Sequence, residues 1–500
     1  MPSILPKSCP DYTKYASLFH GPASQGSFHL PYQRPIESCR TFTSKIIDQV
    51  VNTVAKSISN LDLAQLFRNT FPNTLDTTIK ETVCFMTKVK TTAECHPLTF
   101  LVTGDIDAMW LRDSANQIMP YLEYIPQDLQ LKKLFLGTIY MQAHFISIDP
   151  YANAFHPPTN MTEWSMMHRP NNYQHHVNAL DSAPSVYESK WEIDSLASFF
   201  SLSYNYWKSS NDSSFIDNPI WINAVQVALT TLENEQHGTF DSVTGKPLPV
   251  NDRFSQKADR PTETQFLDGR GQPIKETGMI RTLFRPSDDA CVYNFFVPGN
   301  AMMSVELDHM SQLIQTKNST LATQAKKLSD DIRNAIYKYA VVDLPDHGKV
   351  FAYEVDGYGS HIIMDDANVP SLLSLPLLGF IDEKDPIYVN TRKLVLSKDN
   401  PYYFKGPRME GIGGPHVGLN YAWPMSQIVK ILTSNDDEEI KESLNSILKS
   451  TDGTGLIHES VNVYDDNNPY TRPWFAWANG LFGQAILKLY KEKPNLLSSF

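Results

Sequence analysis

Asp288 and Asp289 stand side by side in Phe284-Arg-Pro-Ser-Asp-Asp-Ala290, three residues after Arg285. Two neighbouring carboxyls can do what one cannot: the charge of one opposes ionisation of the other, so a proton is retained where a lone Asp would have lost it. That is what a general acid needs. Acids also cap helices, and spacing alone favours capping of the apolar stretch that follows. A second acid with polar neighbours is Glu459, in Gly455-Leu-Ile-His-Glu-Ser460, a short loop ahead of Tyr470-Thr-Arg-Pro-Trp-Phe-Ala-Trp477. His458 and Glu459 lack the second His that a helical zinc site requires.

Two further groups could hold a polar ligand. In Thr103-Gly-Asp-Ile-Asp-Ala-Met-Trp-Leu-Arg-Asp-Ser114, the acids Asp105, Asp107 and Asp113 surround Trp110 and Arg112. A guanidinium beside carboxylates orients them for hydrogen bonds to hydroxyls; the same residues could be an ion-pair network at a helix start capped by Asp113 or Ser114. The loops Tyr353-Glu-Val-Asp-Gly-Tyr358, Met364-Asp-Asp-Ala-Asn-Val-Pro370 and Gly411-Ile-Gly-Gly-Pro-His416 contribute Asp366, Asn368 and His416, with Trp423 just beyond. Turn chemistry accounts for their Gly and Asn equally well.

The elements that must position these residues are helical. Ile46, Ile47, Val50, Val51, Val54 and Ile58 recur at three- and four-residue steps, as do Leu131, Leu134, Phe135, Ile139 and Phe145. Further helices are expected over 191–207, 221–235, 302–315, 320–339, 386–396, 424–432, 438–448 and 474–489. Strand-like runs are few, at 82–88, 98–103 and 349–363, and the alternation of a parallel α/β sheet is missing. About a dozen helices in one large domain suggest an all-α ring of paired inner and outer helices over 42–500. Residues 1–41 read as an N-terminal arm packed on the barrel. The polar, Gly- and Pro-rich stretch 235–282 reads as a loop insertion at a functional rim.

Composition narrows the partners. A net charge of −12 makes nucleic acid and anionic membrane surfaces poor partners, and no apolar run is long enough to span a bilayer. Aromatic residues make up 11% of the chain, which suits stacking on sugar faces as well as a large core. The five cysteines are odd in number and unclustered, so neither a zinc site nor a disulfide framework is implied. Met1-Pro-Ser-Ile-Leu-Pro-Lys7 is not a secretory signal, so a cytoplasmic location is expected, with a secretory or vacuolar lumen left open. The sequons at Asn160, Asn211 and Asn318 are then chance matches.

Taken in order, TGDIDAMWLRDS, FRPSDDAC, MDDANVPSLL, GGPH, GLIHES and TRPWFAWANGLFG closely resemble glycoside hydrolase family 125, which includes the fungal meiotically up-regulated gene 157 proteins. The resemblance runs over 103–483. It implies an (α/α)6 barrel with minor β-hairpins in loops. It also implies an exo-acting α-1,6-mannosidase that removes non-reducing terminal mannose from a glycan with inversion, needing neither metal nor cofactor. Carried onto this sequence, the general base is Glu459 and the general acid is Asp288 or Asp289. Asp194 is an alternative acid, better read as sugar-binding or structural. Asp105, Arg112, Asp113, Arg285, Asp366, Asn368, His416, His458, Arg472 and Trp474 are expected around the sugar. An isoprenoid cyclase on the same helical ring, or a glycan-binding protein with a dead site, are the competing readings. The first fits poorly with so many Arg, Asn and His in the motif loops, the second with acids at both catalytic positions.

Overall fold

The computed structural model of the chain describes residues 9–89, 92–157, 185–465 and 467–500; the Asn160 sequon falls outside them. Helices dominate, and they come as inner and outer partners. The helix Ser319–Tyr339 starts where the Asn318 side chain accepts from the backbone N–H of Leu321 and buries one stripe, Leu321, Ala325, Leu328, Ile332 and Ile336. The helix it packs on, Val297–Ile314, is buried on most sides. Leu129–Ile148 pairs with Pro219–Asn234, Pro424–Leu432 with Asp437–Ser450, and Lys45–Ser57 with Leu61–Thr70. The ring closes because the late helix Ala476–Glu492 packs against Leu61–Thr70, Leu111–Asn116 and Pro424–Leu432. Leu111–Asn116 in turn meets Ile193–Ser210, which meets Val297–Ile314. The architecture is an (α/α)6 barrel.

Strands serve the loops. The hairpin Ile79–Val89 with Thr92–Leu101 is the long one; the others run two to four residues. Three local expectations change. Asp113 and Ser114 lie within the helix Leu111–Asn116, not at its cap, which is Trp110. Asp288 and Asp289 cap no helix: they sit in a tight loop closed by a bridge between Phe284 and Ala290. Two of the cysteines pair, Cys9 with Cys39, across 30 residues of arm; a single disulfide between distant positions leaves no spacing signal in the sequence.

The arm is tied to the barrel at the loop preceding Glu459. Gln33 donates to the Thr454 carbonyl at 2.7 Å, and Asn69 donates to the carbonyls of Pro31 and Gly455, both at 2.9 Å. Arg34 forms a buried, two-pronged pair with Asp76. The insertion is closed at its base by Arg281 and Glu235, 2.7 Å apart. Its far end reaches the motif loops: Thr262 accepts from the Ala290 N–H at 2.7 Å and Arg260 donates to the His416 carbonyl at 3.0 Å.

Candidate active site

Five segments from around the ring converge on a cavity of about 180 Å³. This is below the ~300–1,000 Å³ typical of pockets for larger ligands and suits a small polar ring. Trp110, Trp423, Phe475 and Trp477 supply its aromatic surface, and Arg112, Asp113, Asp288, Asn368, His416, Glu459 and Arg472 its polar groups. Among the described residues, the indole N–H groups of Trp110 and Trp423 have no protein acceptor. Buried donors are rarely left so.

One side of the cavity is a packed cluster of carboxyls. Asp288 sits in the left-handed backbone region, φ 64°, which Asp enters more readily than most side chains. The Asn153 amide nitrogen lies 3.2 Å from both Asp288 and Glu192 and 2.8 Å from Glu188, so its two hydrogens are shared among three acids. Arg112 pairs with Glu192 at 2.6 Å and Asp194 at 3.1 Å, and lies 3.3 Å from Asp113, while Lys190 pairs with Glu188 at 2.9 Å. The carboxyls outnumber these cations, so full ionisation is unfavourable. Burial and the neighbouring charge of Asp288 push Glu192 well above the usual carboxylate range, against the opposing pull of Arg112. Burial also lifts Asp113, to about 6. Asp288 itself is drawn below its ordinary value: burial works to raise it, but Lys190 and Arg112 outweigh burial, aided by a hydrogen bond shared with Glu192. The two acids thus hold a proton as a pair, resting on the Glu192 side.

The other side is more open. Glu459 has one oxygen 2.9 Å from the Thr471 hydroxyl and the other 3.5 Å from Arg472, and about 12% of its side chain meets solvent. Arg472 is anchored by Asp105 at 2.6 Å, with its guanidinium 4.8 Å from the centre of the Phe475 ring. Its φ of 52° is again left-handed. His416 stands between the two sides, 3.5 Å from Asp289. Burial pulls its pKa down, but Asp289, Asp288 and Glu459 outweigh that and hold it at about 9, so it is a cation at neutral pH.

Not every residue singled out from the sequence faces the cavity. Asp289 lies behind Asp288, buried and accepting from Ser287 at 3.1 Å, and the carboxyl hydrogen-bonded to Asp288 is Glu192, not the adjacent Asp289. Asp194 is fully buried against Arg112. Arg285 is spent on Glu354 at 2.6 Å over the face of Tyr353, and Asp366 accepts from Asn368. His458 points away: its ring bonds the carbonyls of Arg472 and Thr451 and the Thr454 hydroxyl and stacks on Tyr470, and burial drives its pKa down to about 4. Trp474 donates to Asn73 and faces a different cavity, as does Asp105. Several of these hold up residues that do reach the cavity: Asp194 holds Arg112, Asp366 holds Asn368, and Asp105 and His458 hold Arg472. Glu188, Lys190 and Asn153 were missed, and nothing in their local sequence marks them; Glu192 and Trp477 lay within noted motifs.

Residues 60–487 match the family described as metal-independent α-mannosidase, GH125. The meiotically up-regulated gene 157 protein of Schizosaccharomyces pombe is 47% identical over 98% of this chain and 94% of its own length. A metal-independent α-mannosidase of Streptococcus pneumoniae, solved in a non-productive complex with α-1,6-mannobiose, superposes with a TM-score of 0.77. It is 32% identical, over 90% of this chain and 100% of that one. Family model, relative and solved structure agree, and the chain belongs to the GH125 family of metal-independent α-mannosidases.

Proposed function

We propose that the protein removes α-1,6-linked mannose from the non-reducing end of a mannose-containing glycan, with inversion at the anomeric carbon. The observation that carries this reading is that Asp288 and Glu459, from separate segments, open onto one small aromatic-walled cavity. The transition state resembles an oxocarbenium ion. Inversion needs a protonated carboxyl at the leaving oxygen and a carboxylate across the ring, with room for a water. Asp288 serves as the acid, its proton drawn from the pair with Glu192. Glu459, oriented by Thr471 and Arg472, accepts the proton of the attacking water. Arg112, Asp113, Asn368 and the cationic His416 line the space for the ring hydroxyls, and Trp423 or Trp477 offers an aromatic wall. The α-1,6 preference is supported by the mannobiose bound to the S. pneumoniae relative.

The Cys9–Cys39 disulfide favours a secretory or vacuolar lumen over the cytosol, because such bonds persist in oxidising compartments. Purified protein incubated with α-1,2-, α-1,3-, α-1,4- and α-1,6-mannobiose should release mannose fastest from the last. Preference for another linkage would overturn the α-1,6 assignment, and release from none would overturn the whole reading.

A further inference from the structure

Two turns at the far end of the barrel carry side chains that the packing does not use. The helices Ile193–Ser210 and Val297–Ile314 lie side by side, each 18 residues, or roughly 27 Å, long. Both start at the catalytic end. Asp194, in the first turn of one, pairs with Arg112, and the strand leading into the other pairs with Glu354, the partner of Arg285. Both therefore end far from the cavity. The turns that follow them are joined there, because Lys317 pairs with Asp217 at 2.6 Å.

Each turn holds a sequon, Asn211-Asp-Ser213 and Asn318-Ser-Thr320. Helix ends account for the asparagines themselves. Asn211 takes the left-handed conformation, φ 52°, at the C-cap of the first helix. Asn318 caps Ser319–Tyr339 through its Oδ1, which accepts from the Leu321 N–H at 3.1 Å. Neither role uses the amide nitrogen, and among the described residues nothing accepts from the Nδ2 of either asparagine. Capping does not account for the hydroxyls two positions on. Ser213 and Thr320 are exposed, and the Ser213 side chain caps nothing. An Asn in a surface turn, followed after one residue other than proline by Ser or Thr, is an acceptor for N-linked oligosaccharide. In a cytoplasmic chain such sequons meet no donor and are chance matches. The Cys9–Cys39 disulfide removes that ground.

We propose that Asn211 and Asn318 are N-glycosylation sites, so that the barrel carries two oligosaccharides on the end opposite its cavity. The inference rests on the lumenal location read from the disulfide. The donor is an oligosaccharide carried on a lipid diphosphate. Nδ2 bonds to its anomeric carbon, the bond from that carbon to the diphosphate oxygen breaks, the amide gives up one proton and the lipid diphosphate leaves. The test uses the full chain isolated from the cell that produces it. Denatured protein is treated with a peptide N-glycosidase in heavy-oxygen water, which turns each glycosylated Asn into Asp bearing one heavy oxygen, and peptide mass spectrometry reads positions 211 and 318. Both should carry the label. Ser213→Ala should lose it at 211 alone and Thr320→Ala at 318 alone; each variant leaves its asparagine, and so its cap, in place. A label that survives loss of the hydroxyl is deamidation and would overturn that site. The same preparation, alkylated before reduction, shows whether Cys9 and Cys39 are bonded. An unlabelled position in protein whose disulfide is intact would overturn that site and leave the lumenal reading standing. Unlabelled positions together with free thiols at Cys9 and Cys39 would remove the lumenal reading and this inference with it.

Discussion

The two sides of the cavity solve opposite problems. Around Asp288 the chain buries Glu192 and Asp194 completely and braces them with Asn153 and Arg112. Around Glu459 it leaves a partly solvated carboxylate held by a hydroxyl and one arginine. A dry cluster with more acids than cations retains a proton; a wetter, singly paired carboxylate can receive one from water. On the proposed reading, acid and base differ by their surroundings, since the two side chains differ only by a methylene.

Glu459→Gln should break the contrast most. It keeps the shape and removes the proton acceptor, so kcat on any mannoside should fall by about 10²–10⁴-fold, with thermal stability unchanged. Near-normal turnover would remove Glu459 from the role of base. Asp288→Asn should be nearly as damaging on mannobiose, but less so on an aryl α-mannoside, whose leaving group departs without help from an acid. Equal losses on both substrates would argue against Asp288 as the proton donor. Glu192→Gln should cost less, roughly tenfold or about 1.4 kcal/mol. It should move the alkaline limb of kcat/KM to lower pH, because Asp288 then holds its proton alone, with no second carboxyl whose ionisation would oppose its loss. An unmoved limb would separate Glu192 from the proton.

A separate effect concerns stability and leaves turnover aside. His458 is held neutral in the fold down to about pH 4, against an unfolded value of ~6.5. The unfolded chain therefore binds the proton first, and stability falls as pH drops from about 6.5 to 4, by about 3 kcal/mol in all. His458→Gln should flatten that part of the curve of Tm against pH, whereas an unchanged slope would contradict the assignment of His458 to structure.

What was legible in the sequence follows from what sequence records. Helices with a clean apolar stripe, such as Ser319–Tyr339 and Pro424–Leu432, were readable from period alone. Leu61–Thr70 was not: its polar residues Asp62, Gln65 and Asn69 are buried against the arm, where they bond Ser24, Phe28 and Pro31 instead of facing water. The motifs brought Asp288, Arg112, His416 and Glu459 into consideration, and the fold gathers them on one cavity. Local sequence could not separate residues that line it from residues one step behind. Arg285 and Asp366 look as reactive as Arg112 and Asp113 until Glu354 and Asn368 are seen beside them. Asn153, whose amide is shared among three acids, comes from a distant turn and carries no motif.

The central claim, that a proton-holding pair at Asp288 and a wetter base at Glu459 act across one sugar ring with a water between, is tested most directly by stereochemistry. Proton NMR of α-1,6-mannobiose hydrolysis, followed from the first minutes, should show the anomeric signal of β-mannose before mutarotation brings in the α form. Should α-mannose appear first, the configuration is retained, and Glu459 cannot be acting as a base on water from the opposite face.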